Sequence, residues 1–148
     1  MRLTDFSDYT LRMLMYAALH RERLITIAET ARAFHVSRTH LGKVANLLTR
    51  HGYLVAVRGR SGGLRLARSP ESVRLGDVLN LSEPDYALVE CFGLHNHCVI
   101  SPVCRLRGLL GEALDTFIAT LNRHTLADLL LSPASFDAVT PRPHRRAH

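Results

Sequence analysis

Tyr53-Leu-Val-Ala-Val57 followed by Arg58-Gly-Arg-Ser-Gly-Gly63 and Leu64-Arg-Leu-Ala67 reads as two short strands around a glycine-rich turn. Both flanks are rich in strand formers, and Leu64 and Leu66 alternate with Arg65, which is the period of a half-buried strand. The turn carries two arginines among its glycines, so a basic backbone can approach another molecule closely. The meaning of this hairpin depends on what precedes it.

Two helices with a tight connection precede it. Thr26-Ile-Ala-Glu29 has the form of a capping box opening a short helix to about Phe34. His35-Val36 makes the turn, and Ser37 caps a longer helix through about Arg50 that Gly52 ends. Leu41, Val44, Ala45 and Leu48 fall on one face of that helix, leaving Arg38, Thr39, His40, Lys43 and Asn46 on the other. Alone, this is an ordinary helical hairpin as readily as a helix-turn-helix. With a basic hairpin directly after it, the set reads as a winged helix whose second helix enters a DNA major groove. Candidate DNA contacts are Ser37, Arg38, Thr39, His40 and Lys43 on the helix and Arg58, Arg60, Ser61 and Arg65 on the wing.

Bulk properties agree. The 148 residues suit one domain with an appended helix. The formal charge is +6, and the pI near 9.9 points to a polyanionic partner. No apolar run approaches the ~18 residues of a membrane span. Asp5, Asp8, Arg12 and His20 break up any signal-peptide core, so a cytoplasmic location is expected. Residues 4–20 read as a first helix capped by Thr4, with Asp5 and Asp8 suiting the positive end of its dipole. Residues 74–81 read as a further short helix after the turn at Ser69-Pro70.

All three cysteines fall in Cys91-Phe-Gly-Leu-His95-Asn-His97-Cys98-Val-Ile-Ser-Pro-Val-Cys104. In a reducing compartment, thiols gathered in a loop of Gly, Asn, Ser and Pro are metal ligands sooner than disulfides. Zinc sites usually bring cysteines in pairs about two to four residues apart. Here the gaps hold six and five residues, which disfavours zinc, although zinc held with His95 in a zinc-stabilised DNA-binding protein stays open as an alternative. An iron–sulfur cluster accepts widely spaced thiolates, and three of them leave one iron to another ligand. A thiol redox enzyme is the alternative, but there is no Cys-x-x-Cys and no hydrolase or nucleotide-binding motif. The chain does not read as an enzyme.

Residues 105–131 read as one long helix whose apolar stripe (Leu110, Leu114, Phe117, Leu121) is widened by Leu106, Leu109, Ala113, Ile118 and Leu126. Such a stripe at the end of a small domain calls for pairing across a dimer. The architecture expected is mainly α with a small β-hairpin wing. It comprises a winged helix-turn-helix over 1–80, a cluster-binding loop over 81–104, a dimerisation helix over 105–131 and a disordered tail over 132–148.

At this point the chain resembles the NsrR-type repressors, nitric-oxide-sensing regulators within a wider winged-helix family that includes iron–sulfur biogenesis regulators. The resemblance covers residues 1 to about 130. It rests on Met1-Arg-Leu-Thr-Asp-Phe-Ser-Asp-Tyr9, Arg58–Ala67, Leu88-Val-Glu-Cys91, His95–Cys104 with the following Arg-Leu, and Leu126-Ala-Asp-Leu129. It implies a homodimer that binds a palindromic operator in double-stranded DNA, represses genes for nitric oxide detoxification and lets go when nitric oxide attacks its cluster. It also implies Cys91, Cys98 and Cys104 as thiolate ligands and Asp8 as the fourth, contributed from the other subunit. A [4Fe-4S] cluster is favoured over [2Fe-2S], with His95 or His97 as reserve ligands. No histidine follows Cys104 until His124, unlike the branch that senses cluster supply.

Overall fold

The computed structural model describes residues 2–140. Helix α1 (Asp5–Leu19) starts where expected, with the Thr4 hydroxyl accepting from the Ser7 N–H. It is the central support: Met13, Leu14, Ala17 and Ala18 are buried against the helices around them. Its polar face is satisfied internally. Thr10 donates to the Phe6 carbonyl, and Ser7 meets the buried Ser82 hydroxyl at 2.9 Å.

Helices α2 (Ile27–Phe34) and α3 (Arg38–Arg50) form the helix-turn-helix. Only half of the expected capping box is made. Thr26 accepts from the Glu29 N–H, but the Glu29 carboxylate pairs with Arg23 at 2.6 Å instead of returning to the Thr26 backbone. The turn is tight because His35 adopts a left-handed conformation at φ 55° and the Val36 N–H donates to the Ala31 carbonyl, a Schellman-like closure. Ser37 then caps α3, whose Leu41, Val44, Ala45 and Leu48 are buried as the spacing requires.

Strands β1 (Leu54–Val57) and β2 (Gly63–Leu66) pair antiparallel, Leu54 opposite Leu66 and Val57 opposite Gly63. The wing is fixed at both ends. Ile25 and Leu64 exchange backbone hydrogen bonds of 2.9 and 2.8 Å, and a Cβ at Gly63 would stand 2.6 Å from the Ile25 carbonyl, so only glycine permits this approach. At the other end Arg68 lies over the Tyr53 ring, 4.3 Å from its centroid, and donates to the carbonyls of His51 and Gly52. One exposed guanidinium thus satisfies the end of α3 and sets the angle of the wing. Arg68→Ala is expected to lower stability by about 1 kcal/mol, a few degrees in Tm by calorimetry, with the far-ultraviolet helix signal retained.

A single 3-10 turn (Pro70–Ser72) leads to α4 (Leu75–Ser82). The chain then runs without long elements through the cysteine segment to α5 (Arg105–Asn122). Here the structure departs from the sequence reading. The helix does not continue to Leu131. It stops where α4 receives its end: the Asn122 side chain accepts from the Asp77 N–H and the Asn122 carbonyl from Arg74. Thr125 and Asp128 form a full capping box for a 3-10 turn over Leu126–Leu129, and the Leu126 N–H donates to the Val73 carbonyl. Leu126 is therefore core, at 0% exposure, and not part of an outward stripe.

The second departure is α6 (Pro133–Val139), in a segment read as structureless. Ser132 caps it, Pro133 occupies its first turn, and Phe136 packs on Tyr16 and Phe34 with ring centroids 5.7 Å away in each case. The remainder of that tail, 141–148, lies outside the described residues. Among those described, no helix is long and apolar enough to cross a membrane.

Candidate metal centre and nucleic-acid interface

The cysteine segment is built from two 3-10 turns, Glu90–Phe92 and Ser101–Val103, tied together by side-chain hydrogen bonds to backbone and to side chain. Asn96 organises it: its Oδ1 accepts from the Cys98 N–H at 3.0 Å and its Nδ2 donates to the Ser101 hydroxyl at 2.8 Å. Glu90 accepts from the His97 N–H at 2.7 Å, spanning the first inter-cysteine gap. These bonds leave every thiol uncommitted. Cys91, Cys98 and Cys104 are all free and half-buried, and His95 and His97 are exposed. Cys104 borders a shallow basin with Asp85, Phe92 and Arg107 between the segment and α5. Tyr86 lies on the same basin, its phenol pKa raised by burial and by the charge of Glu83.

The donor chemistry fits a thiolate-ligated iron–sulfur cluster: three reduced sulfurs in fourteen residues, held by a scaffold that uses none of them. The structure does not bring Cys91, Cys98 and Cys104 together as a ligand set. Among the described residues, no three His, Cys, Asp or Glu side chains converge as a metal-binding group.

Asp8 lies in the first turn of α1, half-exposed, with Arg12 forking onto both carboxylate oxygens at 2.9 and 2.7 Å. Its neighbours reach the helix-turn-helix. The Arg12 guanidinium carbon is 5.8 Å from the Phe34 ring centroid, and the Tyr9 and His40 rings stand 6.2 Å apart. His40, read as a groove contact, is exposed yet also touches α1. Sequence reasoning gave no sign of this pairing, because nothing in residues 1–50 fixes how α1 crosses α3.

The other candidate contacts are all exposed. Ser37, Arg38, Thr39 and Lys43 are exposed on α3, with Asn46 one turn further on. Arg58, Arg60, Ser61 and Arg65 are exposed on the wing. Gly59, with φ 111°, makes the turn that carries Arg58 and Arg60. Two features escaped the sequence reading: Arg68, whose signal would have been a cation next to an aromatic after a helix stop, and the cleft between α2 and α6. In that cleft burial lowers the pKa of His20 and raises that of Tyr16, while the hydrogen bond to Glu29 raises that of Arg23.

A winged helix whose core supports a separate loop of three free thiols matches one family over nearly its whole length. Residues 3–132 match Rrf2, described as an iron-dependent transcriptional regulator. The chain belongs to the Rrf2 family. Within it, the HTH-type transcriptional regulator NsrR of Geobacillus kaustophilus is 45% identical over 137 residues, covering 91% of this chain and 93% of that protein. NsrR of Bacillus subtilis is 43% identical over 132 residues, covering 88% and 90%. This Rrf2 chain is therefore of the NsrR type, a DNA-binding transcriptional regulator and not an enzyme. The fold recurs in T. potens IscR, with a TM-score of 0.71 at 20% identity over 99% of this chain and 97% of that one. It recurs also in Staphylococcus aureus CymR, with a TM-score of 0.65 at 19% identity over 95% and 100%.

Proposed function

We propose that this protein is a dimeric iron–sulfur repressor that binds palindromic operator DNA in the cytoplasm and leaves it when nitric oxide reaches its cluster. The observation that carries the reading is the trio of free, half-buried thiols on a scaffold that spends none of them, in a chain of NsrR type. The bound cluster, [4Fe-4S] in preference to [2Fe-2S], would supply iron atoms that react with nitric oxide. Cys91, Cys98 and Cys104 would hold it from one subunit and Asp8 of the partner subunit would complete it, with His95 or His97 in reserve.

Three thiolates leave one iron of a cluster to an outside ligand, and Asp8 is reachable at the surface of α1. Among the described residues the three thiols do not converge with one another, so cluster binding would also draw the loop together. Asp8 is engaged by Arg12, but a half-exposed pair of this kind contributes only about 0–1 kcal/mol, so exchanging Arg12 for a metal ligand is cheap. Arg12 then has a second function: it holds Asp8 when the carboxylate is not a ligand.

The output follows from the contacts of α1. Tyr9, next to Asp8, touches His40 of α3, and Arg12 touches Phe34 of α2. Drawing Asp8 toward a partner subunit would set the N-terminal turn of α1 and, through these contacts, the placement of α3. Two half-sites must lie about 34–36 Å apart, so a small displacement of each reading helix spoils the fit. Ser37, Arg38, Thr39, His40 and Lys43 would read the groove, and Arg58, Arg60, Ser61 and Arg65 would hold phosphates or the minor groove. Residues 1–80 would thus form the reading part, 81–104 the cluster loop and α5 the dimer contact.

The test is anaerobic purification, a visible spectrum, and nitric oxide titration followed by DNA binding. A coloured protein that loses operator affinity in step with bleaching is expected. A colourless zinc protein with constant affinity would refute the reading. In the same assay Asp8→Ala should retain thiolate-ligated colour with an altered spectrum and weaken operator binding about tenfold. A native spectrum and native nitric oxide response would remove Asp8 from the site.

A further inference from the structure

Phe34 is the last residue of α2 and stands immediately before the left-handed His35 that turns the chain toward α3. The turn is short. The Val36 N–H returns to the Ala31 carbonyl, Ser37 caps α3, and Arg38 already belongs to that helix. A tilt at the C-terminal end of α2 is therefore carried at once to Arg38, Thr39 and His40. Helix α2 has little of its own to resist such a tilt, since Thr30 and Ala31 are its only buried residues. Its N-terminal end is tied by the Thr26 cap and by the Arg23–Glu29 pair. Its C-terminal end depends on what packs against the Phe34 ring.

Two rings and a guanidinium lie against it. Tyr16 and Phe136 meet Phe34 edge-on with centroids 5.9 and 5.7 Å away, and the Arg12 guanidinium carbon is 5.8 Å from its centroid. Tyr16 and Arg12 belong to α1, which Met13, Leu14, Ala17 and Ala18 seat in the core. Phe136 belongs to α6 and also meets Tyr16 at 5.7 Å, so the three rings close a triangle. Of the seven residues of α6 only Phe136 is even half-buried, so this helix adds almost nothing to the general core. Isolated helices below about 12 residues are marginal in water, and α6 is held by the Ser132 cap and by its docked ring. Its one inward side chain is spent on the end of α2.

We propose that Phe136 is a positioning residue for DNA recognition: through Phe34 it braces the C-terminal end of α2 and so fixes the direction in which α3 leaves the turn. Phosphate contacts tolerate a small rotation of a helix, because long basic side chains can follow it. Hydrogen bonds to base edges do not, because they need fixed distances and angles. The brace therefore contributes mainly to the preference for one sequence over another. The inference rests on the reading of α3 as the groove helix, and the test separates the two.

Full-length protein is purified anaerobically in native form and as Phe136→Ala, Phe136→Leu, Leu126→Ala and Lys43→Ala. Affinity is measured on a duplex selected from a random pool and on one of mixed sequence, with Tm by calorimetry and amide exchange over residues 34–40. Phe136→Ala should weaken the selected duplex about tenfold and the mixed one by no more than about twofold, in line with the loss of two edge-on ring pairs. Its amides over residues 34–40, the Val36 N–H first, should exchange several-fold faster. Phe136→Leu keeps an apolar body against Phe34 and should stay within about threefold of native. Leu126→Ala controls for general destabilisation. Leu126 is wholly buried with its N–H bonded to Val73, so its truncation should lower Tm more than Phe136→Ala does and leave the sequence preference native. An equal loss of preference in Leu126→Ala overturns the proposal, because the effect would then follow stability alone. Weakened binding of Phe136→Ala with native exchange over residues 34–40 overturns it as well. If Phe136→Ala keeps its preference while Lys43→Ala weakens the selected duplex, the brace is refuted and the reading of α3 stands. If Lys43→Ala is silent while Phe136→Ala loses its preference, the brace stands and Lys43 leaves the groove.

Discussion

Cys98→Ser should purify colourless, bind mixed-sequence DNA as the native protein does, and lose its preference for operator, a fall of about 10³-fold or more. The reason lies in how the loop is held. Cys98 takes part in the scaffold through its backbone: its N–H donates to Asn96 and its carbonyl accepts from Ser101. Among the described residues the sulfur makes no hydrogen bond that serine would have to replace. The loop should therefore keep its shape, and the change is confined to donor chemistry. A serine hydroxyl is a hard, weakly acidic oxygen where a soft thiolate is needed. Removing one of three thiolates leaves too few donors for the loop to hold a cluster. Iron content, the visible spectrum and gel-shift affinity together check the result. A variant that stays coloured and responds to nitric oxide would show that Cys98 is not a ligand. A variant that unfolds on heating many degrees early would show instead that the thiol is structural.

The readability of this site and fold follows from the range over which each feature is determined. The wing was legible because strand alternation, three glycines and a register of four pairs are encoded within Tyr53–Ala67. The helix-turn-helix was legible because Thr26, Ser37 and Gly52 mark its boundaries locally. The end of α5 was not, because Leu126 continues an apolar pattern that the chain actually spends on the core. The available signal was Thr125-x-x-Asp128, a capping box that opens a new turn and so closes the old helix. Helix α6 was missed for a related reason. Ser132-Pro133 is the same start signal as Ser69-Pro70, but Phe136 is its only inward anchor, and one aromatic makes no period. For the proposed metal centre the sequence offers candidate donors by clustering three cysteines in one loop, but how they would be brought together depends on loop geometry, and the described residues do not converge. The link from Tyr9 to His40 lies furthest from sequence, since it depends on how two helices cross.

Leu109→Asp should turn the protein into a monomer at micromolar concentration and reduce operator affinity about 10²–10⁴-fold. Helix α5 is eighteen residues long and none of them is buried. Its C-terminal end is fastened to α4, but Leu109 remains 62% exposed and Leu106 59% exposed in the single chain. In the cysteine loop Val103 is 82% and Leu94 99% exposed as well. Exposed large apolar side chains on one helix suit an interface, and a second copy of α5 is the occupant that symmetry makes simplest. Leu109 separates dimer contact from folding. It contributes little to its own chain, so aspartate should change monomer stability by no more than about 0.5 kcal/mol. Across a two-fold axis the same carboxylate would be buried twice without a counter-charge, at several kcal/mol. Sedimentation should report the monomer, and a mixed-sequence duplex should report retained half-site contacts. The affinity loss follows because the second half-site is no longer held at high effective concentration. Cluster occupancy gives the last discrimination. If Asp8 is contributed from the partner subunit, the monomer should hold iron less well than the dimer although every residue of the loop is intact. If cluster content stays native in a proven monomer, the fourth ligand belongs to the same chain, and the coupling of cluster to operator must run within one subunit. A Leu109→Asp protein that remains dimeric would move the subunit contact away from this face of α5.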